Sequence, residues 1–132
     1  MLFSITSLPP LLIDLWFQEG TAMAFLYSSA SLLGLGFLLW LPVKNEKKDL
    51  RLRDGFVVVV MFWFVLGASG AVPLILSEQL DIELVDAVFE SVSALTTTGA
   101  TVLIGLDDLP HSILFYRQQL QWLGGMGIIV LA

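Results

Sequence analysis

The sequence predicts an all-α membrane protein in which transmembrane helices flank a short re-entrant helix and a loop at membrane depth. Of the 132 residues, 57% are hydrophobic and 14% are charged, whereas soluble domains are about 45–50% apolar and about 25% charged. Two uncharged stretches, residues 21–43 and 55–76, are long enough to cross a bilayer. They are followed by an amphipathic stretch, residues 81–95, that is too short to span.

The composition excludes several kinds of chemistry. The chain has no cysteine and a single histidine, His111. Thiol chemistry, disulfides and a histidine-based metal cluster within one chain are therefore excluded. A net charge of −6 disfavours nucleic acid as a partner, because such binding neutralises phosphates with Lys and Arg. No nucleophile with a partner and no acid–base pair stands out, so we expect neither an enzyme nor a bound cofactor.

Residues 1–43 form the predicted leading membrane helices. The first apolar stretch, residues 2–17, would reach only about 24 Å as a helix, against a hydrocarbon core of about 30 Å. It is therefore either a tilted or truncated span or an interfacial segment. Residues 21–43 form a full span, which Pro42 helps to end.

A basic loop, residues 44–54, separates the leading helices from the rest of the chain. It holds five of the six basic residues, and cytoplasmic loops carry an excess of Lys and Arg. We therefore place this loop in the cytoplasm. The next span, residues 55–77, then runs from the inside to the outside of the membrane.

The following two segments are predicted to form a re-entrant pore helix, residues 81–96, and an ion-selectivity filter, residues 97–101. Asp81 is the candidate N-cap of the helix, and the negative end of its dipole favours a cation at the C-terminus. Three threonines before Gly99 suit a cation filter, because hydroxyl and carbonyl oxygens can replace the water shell of potassium. The alternative is an ordinary helix C-terminus with Gly99 as its left-handed cap residue.

Charged residues are candidates for the outer mouth of this potassium-channel-like unit. Asp107 and Asp108 either raise the local cation concentration or are simply solvated loop residues. Glu90 and Arg117 complete the candidate set. A charge inside the membrane boundary, such as Arg117, is a functional candidate by default. The alternative is structural: an ion pair with Glu90 or another outer carboxylate, or snorkelling to the interface.

The last stretch, residues 111–132, is polar in its first half and apolar and glycine-rich in its second half. About 11 purely apolar residues are present, against about 20 needed to cross a bilayer. We therefore expect a second span that is truncated at Ala132. The run Gly124-Gly125-x-Gly127 lacks the preceding strand and following Lys of a nucleotide loop, which favours helix packing.

Four stretches of the chain carry a family resemblance. They are Arg53-Asp54-Gly55-Phe56, Asp86-Ala87-Val88-Phe89-Glu90-Ser91, Ser93-Ala94-Leu95-Thr96-Thr97-Thr98-Gly99-Ala100-Thr101, and Leu114-Phe115-Tyr116-Arg117-Gln118 with Gln121-Trp122-Leu123-Gly124-Gly125-Met126-Gly127-Ile128-Ile129-Val130-Leu131-Ala132. Together they resemble the Trk-type potassium-uptake transporters (TrkH/KtrB). The resemblance covers the chain from about Gly20 to its end, and the last two stretches are its most specific motifs.

This resemblance implies two leading helices and then four span–pore–span repeats in one chain. The sequence matches the leading helices and most of the first repeat, residues 55–132. The resemblance places the filter glycine at Gly99 and turns the carbonyls of Thr97, Thr98 and Gly99 toward the ion, with Ala100 in the same ion-binding set. It also implies a multi-pass location in the bacterial inner membrane. The implied partners are the lipid bilayer, the remaining repeats, a cytosolic nucleotide-binding regulatory subunit and a homodimer mate.

The sequence thus favours potassium transport by the first repeat of a Trk-like transporter, with potassium as substrate rather than cofactor. One unit supplies only one wall of a filter, because potassium filters are rings of carbonyls from four equivalent loops. Two alternatives stay open. The chain is either a non-conducting membrane fragment or assembly module, or a homotetrameric mini-channel.

Overall fold

The computed structural model describes residues 2–44 and 52–131, and this part of the chain is helical with no strand. The all-α class predicted from the sequence is therefore confirmed for these residues. In chain order the elements are a 3-10 helix Leu2–Ser7, α1 Leu8–Phe17, α2 Ala22–Val43, α3 Leu52–Leu76, α4 Leu84–Leu95, a 3-10 turn Leu106–Asp108 and α5 His111–Leu131.

Two of these helices are long and apolar enough to cross a membrane. They are Ala22–Pro42, with a mean hydropathy of 1.7, and Asp54–Leu76, with a mean hydropathy of 2.2. Helix α1 has ten residues and directly follows the 3-10 helix, so that Phe3–Phe17 forms one apolar helical stretch that is shorter than these two helices. Polar side chains are rare along α2 and α3, which agrees with a lipid-facing surface over much of their length.

The predicted cytoplasmic loop, residues 44–54, lies mostly outside the described residues. Lys44 ends the first described range, and its ammonium lies 5.2 Å from the centre of the Trp40 ring, within the range of a cation–π contact. Helix α3 already begins at Leu52, so the last residues of the predicted loop belong to that helix.

Helix α4 packs against both α3 and α5, while α1 packs against α2 and α5. Glycines let α3 and α4 approach closely. A Cβ added at Gly67 would come within 2.9 Å of Val92 Cγ2, and one added at Gly70 would collide with Ser91 Oγ. The core that this packing encloses consists of Phe25, Ala71, Leu74, Ala87, Ala94, Leu95, Ile113, Tyr116 and Leu120.

The start of α4 differs from the prediction. Asp81 adopts a left-handed backbone conformation with φ 43°, and the helix begins three residues later, after Glu83 as its N-cap. The prediction of Asp81 as the N-cap is therefore wrong. Ile82 packs against the core, and this contact fixes the entry of the chain before the helix can start.

Candidate functional site

Helix α4 carries the candidate site at its C-terminal end. One face of the helix is buried against α3 and α5 and includes Ala87, Glu90, Ser91 and Ala94. The opposite face exposes Val85 and other apolar side chains. The helix therefore presents its polar groups to its own protein and its apolar groups to the surroundings, which suits a helix within a membrane.

The backbone turns sharply where α4 ends. Thr96 is the C-cap, and the next residue, Thr97, is left-handed with φ 57°. Gly99 is also left-handed, with φ 75°. The alternative that made Gly99 the cap residue of the helix is therefore wrong, because Thr97 takes that position. Gly99 serves a second turn in the loop, where a residue with a Cβ would be strained.

Ser93 holds this loop from inside α4. Its carbonyl oxygen accepts the backbone N–H groups of Thr98, at 3.0 Å, and Gly99, at 3.3 Å. Its hydroxyl donates to the carbonyl oxygen of Ala100 at 2.6 Å. A single side chain and its own peptide carbonyl thus fix both the turn and the residue that follows the glycine.

The loop carbonyls fall into two classes. The carbonyl of Ala100 is engaged by Ser93. The carbonyls of Thr97, Thr98 and Gly99 accept no hydrogen bond within residues 2–44 and 52–131. These three residues and Ala100 are all exposed. Three successive backbone oxygens are therefore open to a ligand, whereas the fourth predicted filter residue has its carbonyl occupied.

Glu90 anchors the chain just beyond the loop. It is fully buried, and its Oε1 accepts the Thr101 hydroxyl at 2.5 Å and the Val102 N–H at 2.6 Å. Its Oε2 accepts the Arg117 Nε–H at 2.9 Å. The predicted ion pair between Glu90 and Arg117 is present. Glu90 therefore lies behind the loop as an anchor and does not face an open mouth.

The two remaining candidate charges lie apart from this anchor. Asp107 and Asp108 sit in the exposed 3-10 turn after the loop. Neither makes a hydrogen bond or ion pair through its side chain within the described residues. No group of three or more His, Asp or Glu side chains in those residues could hold a metal ion.

Helix α5 closes the back of the loop. Gly124 lies so close to α4 that a Cβ there would collide with the backbone of Leu95. A Cβ at Gly125 would lie 3.6 Å from Thr97 Cγ2, and one at Gly99 would lie 3.4 Å from Gln121 Nε2. The prediction of helix packing for this glycine run is confirmed at Gly124.

A second cluster of buried polar groups was not found from the sequence. Asp14 of α1 is buried; its Oδ1 accepts the Thr21 N–H at 2.7 Å and the Thr21 hydroxyl at 2.5 Å, and its Oδ2 accepts the Ala22 N–H at 2.8 Å. The Thr21 and Ser112 hydroxyls lie 2.7 Å apart. Asp14 thus caps α2 from a neighbouring helix and connects it to α5.

Glu19, in the loop between α1 and α2, caps α5 in the same way. It accepts the N–H groups of His111, at 2.7 Å, and Ser112, at 3.1 Å, and it pairs with His111 Nδ1 at 2.6 Å. Burial alone would raise the pKa of this carboxyl, but the hydrogen bonds from His111 and Ser112 outweigh it and lower the pKa below its ordinary value. The His111 ring also stacks on Phe17, with centroids 4.5 Å apart.

The family model "TrkH: Cation transport protein" matches residues 21–132. The chain is 54% identical over 132 residues to "Trk system potassium uptake protein TrkH" of Halomonas elongata and of Escherichia coli (strain K12). Each alignment covers 100% of this chain and 27% of the relative. A second Escherichia coli protein, "Trk system potassium uptake protein TrkG", is 40% identical over 131 residues.

A solved structure has the same fold. It is the "Crystal Structure of the Potassium Transporter TrkH from Vibrio parahaemolyticus", which is 52% identical with a TM-score of 0.94. The match covers 98% of this chain and 28% of that chain. The chain therefore spans about a quarter of the length of the proteins it matches.

Proposed function

Because the chain belongs to the TrkH family of cation transport proteins, we propose that it forms one wall of a potassium-selective pore in a bacterial inner membrane. The observation that carries this proposal is the row of open carbonyls at Thr97, Thr98 and Gly99, held at the C-terminal end of α4. Carbonyl oxygens replace the hydration shell of potassium in such filters. The relatives named as potassium uptake proteins support potassium as the ion.

The electrostatic environment of the loop also favours the binding of a cation. The C-terminal end of α4 carries the negative end of the helix dipole, and the loop that follows it adds unpaired carbonyl oxygens. The guanidinium of Arg117 pairs with Glu90, which lies behind the loop. It therefore does not oppose a cation at the carbonyl face.

In this proposal four equivalent loops complete the filter, and the segment works with further repeats of a longer chain. The exposed apolar face of α4, including Val85, Phe89 and Val92, requires cover by lipid or by such neighbours. Residues 44–54 face the cytoplasm by their basic charge. A cytosolic nucleotide-binding regulatory subunit and a homodimer mate are the proposed partners beyond the bilayer. The proposed function is transport and requires no enzymatic step.

The test uses a chimera in which this chain replaces the aligned 132 residues of the Escherichia coli relative. Rubidium uptake is measured in cells without their own potassium uptake systems, with and without competing sodium. Gly99→Ser should lower the preference for potassium over sodium roughly tenfold, because a side chain in the left-handed region costs about 1–2 kcal/mol and turns the carbonyls.

The matched control is Gly105→Ser. Gly105 is also left-handed, with φ 69°, but lies in the loop that precedes the 3-10 turn, where an added Cβ meets only Asp108 at 3.7 Å. This variant should keep the selectivity of the chimera. A Gly99→Ser chimera with unchanged selectivity would contradict the assignment of this loop as the ion filter.

The same chain in liposomes, without the relative's sequence, separates the two alternatives. Rubidium uptake that Gly99→Ser abolishes would favour a homotetrameric mini-channel. An inactive isolated chain beside an active chimera would favour one wall of a larger pore. An isolated chain and chimera that are both inactive would favour the non-conducting assembly module.

A further inference from the structure

Ser93 has two distinct roles at the candidate filter. Its backbone carbonyl fixes the turn by accepting the N–H groups of Thr98 and Gly99, and any residue at this position of α4 would provide that carbonyl. Its hydroxyl donates to the carbonyl oxygen of Ala100 at 2.6 Å, and a side chain without a hydrogen-bond donor, such as that of Ala, cannot do so. The side chain is almost completely buried, so water does not replace this bond readily.

The hydroxyl bond determines how many carbonyls the loop offers. The carbonyls of Thr97, Thr98 and Gly99 accept no hydrogen bond within the described residues, whereas that of Ala100 does. With Glu90 holding Thr101 and Val102 immediately beyond, the Ala100 peptide is fixed on both sides. The loop therefore has a defined last open carbonyl, which is that of Gly99.

We infer that Ser93 is a specificity-determining residue, whose hydroxyl limits the loop to three ion-facing carbonyls and fixes their spacing. This inference rests on the proposed function. Ser93 does not touch the ion; it acts through Ala100 as a positioning residue. Selectivity depends on the size of the carbonyl cage or on the number and field of its carbonyls, and releasing Ala100 changes both.

The direction of the effect follows from ionic size. Sodium is smaller than potassium, so its coordination requires the carbonyls to move closer together. A loop without its Ser93 bond is freer to contract and gains a further carbonyl that can turn toward the ion. Removal of the hydroxyl should therefore favour sodium relative to potassium.

The chain offers a matched control on the same helix. Ser91 is also fully buried, but its hydroxyl makes no hydrogen bond within the residues that the structure describes. It lies against Gly70 of α3 rather than against the loop. Ser91→Ala and Ser93→Ala thus remove the same atom from the same helix, and only the second removes a hydrogen bond to the filter.

The experiment measures rubidium uptake by the chimera over a range of sodium concentrations, together with the unfolding temperature of the purified protein. Ser93→Ala should reduce the preference for potassium over sodium by roughly 2- to 10-fold, the ratio that corresponds to one net hydrogen bond. Ser91→Ala should leave the preference unchanged. Maximal uptake should change less than the preference in Ser93→Ala and should stay close to that of the unmodified chimera in Ser91→Ala.

Two results would overturn the inference. One is a Ser93→Ala chimera with unchanged preference, measured where Gly99→Ser does reduce it; the filter assignment would then stand and only the role of Ser93 would fail. The other is a fall in rubidium and sodium uptake by the same factor with a lower unfolding temperature, because this pattern reflects a structural role alone. If Gly99→Ser also left the preference for potassium over sodium unchanged, the result would contradict the proposed function itself.

Discussion

Asp14 and Glu90 are two buried carboxylates that accept the same kinds of hydrogen bond in different surroundings. Each accepts a threonine hydroxyl and a backbone N–H: Asp14 from Thr21, and Glu90 from Thr101 and Val102. Each lies on one helix and holds a segment outside it. The two sites differ in what compensates the negative charge.

At Asp14 the compensation comes from a helix end. Its oxygens receive N–H groups at the start of α2, where the helix dipole is positive. The segment held by Glu90 is not helical and has no such dipole, and the second oxygen of Glu90 accepts a hydrogen bond from Arg117 instead. The negative charge is thus balanced by a cationic side chain where the carboxylate holds an irregular loop, and by a helix dipole where it holds a helix end.

Arg117→Met should have the largest effect among the variants that test this comparison. It leaves Glu90 buried without its cationic partner, which typically costs about 3–5 kcal/mol. The measurement is thermal and denaturant unfolding of the purified chimera. The double variant Arg117→Met with Glu90→Gln should recover part of the loss, because no isolated charge remains. If Arg117→Met alone were as stable as the unmodified chimera, Arg117 would not be needed to compensate the charge of Glu90.

Asp14→Asn should have an intermediate effect. The amide keeps an oxygen for Thr21, but it loses the charge that the α2 dipole favours and points an NH2 group at the Ala22 N–H. We expect a loss of about 1–2 kcal/mol in the same unfolding measurement. Asp107→Asn, at an exposed position, is the control and should change stability by less than about 0.5 kcal/mol. A loss equal to that of Arg117→Met would contradict the distinction between the two sites.

Glu19→Gln should have the smallest effect on stability, and this effect should depend on pH. Burial raises the pKa of the Glu19 carboxyl, but the hydrogen bonds that it accepts from His111 and Ser112 outweigh burial and hold its pKa below the ordinary value of 4.5. Since the pKa is lower in the folded state, the stabilisation is present above pH 4.5 and is lost as pH falls through the folded-state pKa. Unfolding of the chimera and of its Glu19→Gln variant should therefore differ most near neutral pH and converge in acid. A difference that stays constant with pH would refute this role.

The sequence was sufficient for features that depend on composition and local pattern. The length of the two uncharged stretches identified α2 and α3 as spanning helices. The resemblance to a transporter family is confirmed by the family match. The pairing of Arg117 with Glu90 was also accessible, because a charge inside a membrane requires a partner. The filter roles of Thr97, Thr98, Gly99 and Ala100 stay predictions.

The remaining features depend on contacts between distant parts of the chain. Asp14 caps α2, and Glu19 reaches α5 more than 90 residues away, so neither follows a spacing rule. The bond from Ser93 to Ala100 requires left-handed turns at both Thr97 and Gly99. The start of α4 was misplaced because local capping preference favoured Asp81, whereas packing of Ile82 fixed the chain.

The close approach of Gly124 to Leu95 has a mechanical consequence. Because α5 lies directly against the last residue of α4, there is no gap to absorb a movement of one helix relative to the other. A tilt or slide of α5 must displace the Leu95 peptide, and with it the turn at Thr97 that follows. The position of α5 is therefore coupled to the Leu95 peptide, two residues before the left-handed turn at Thr97.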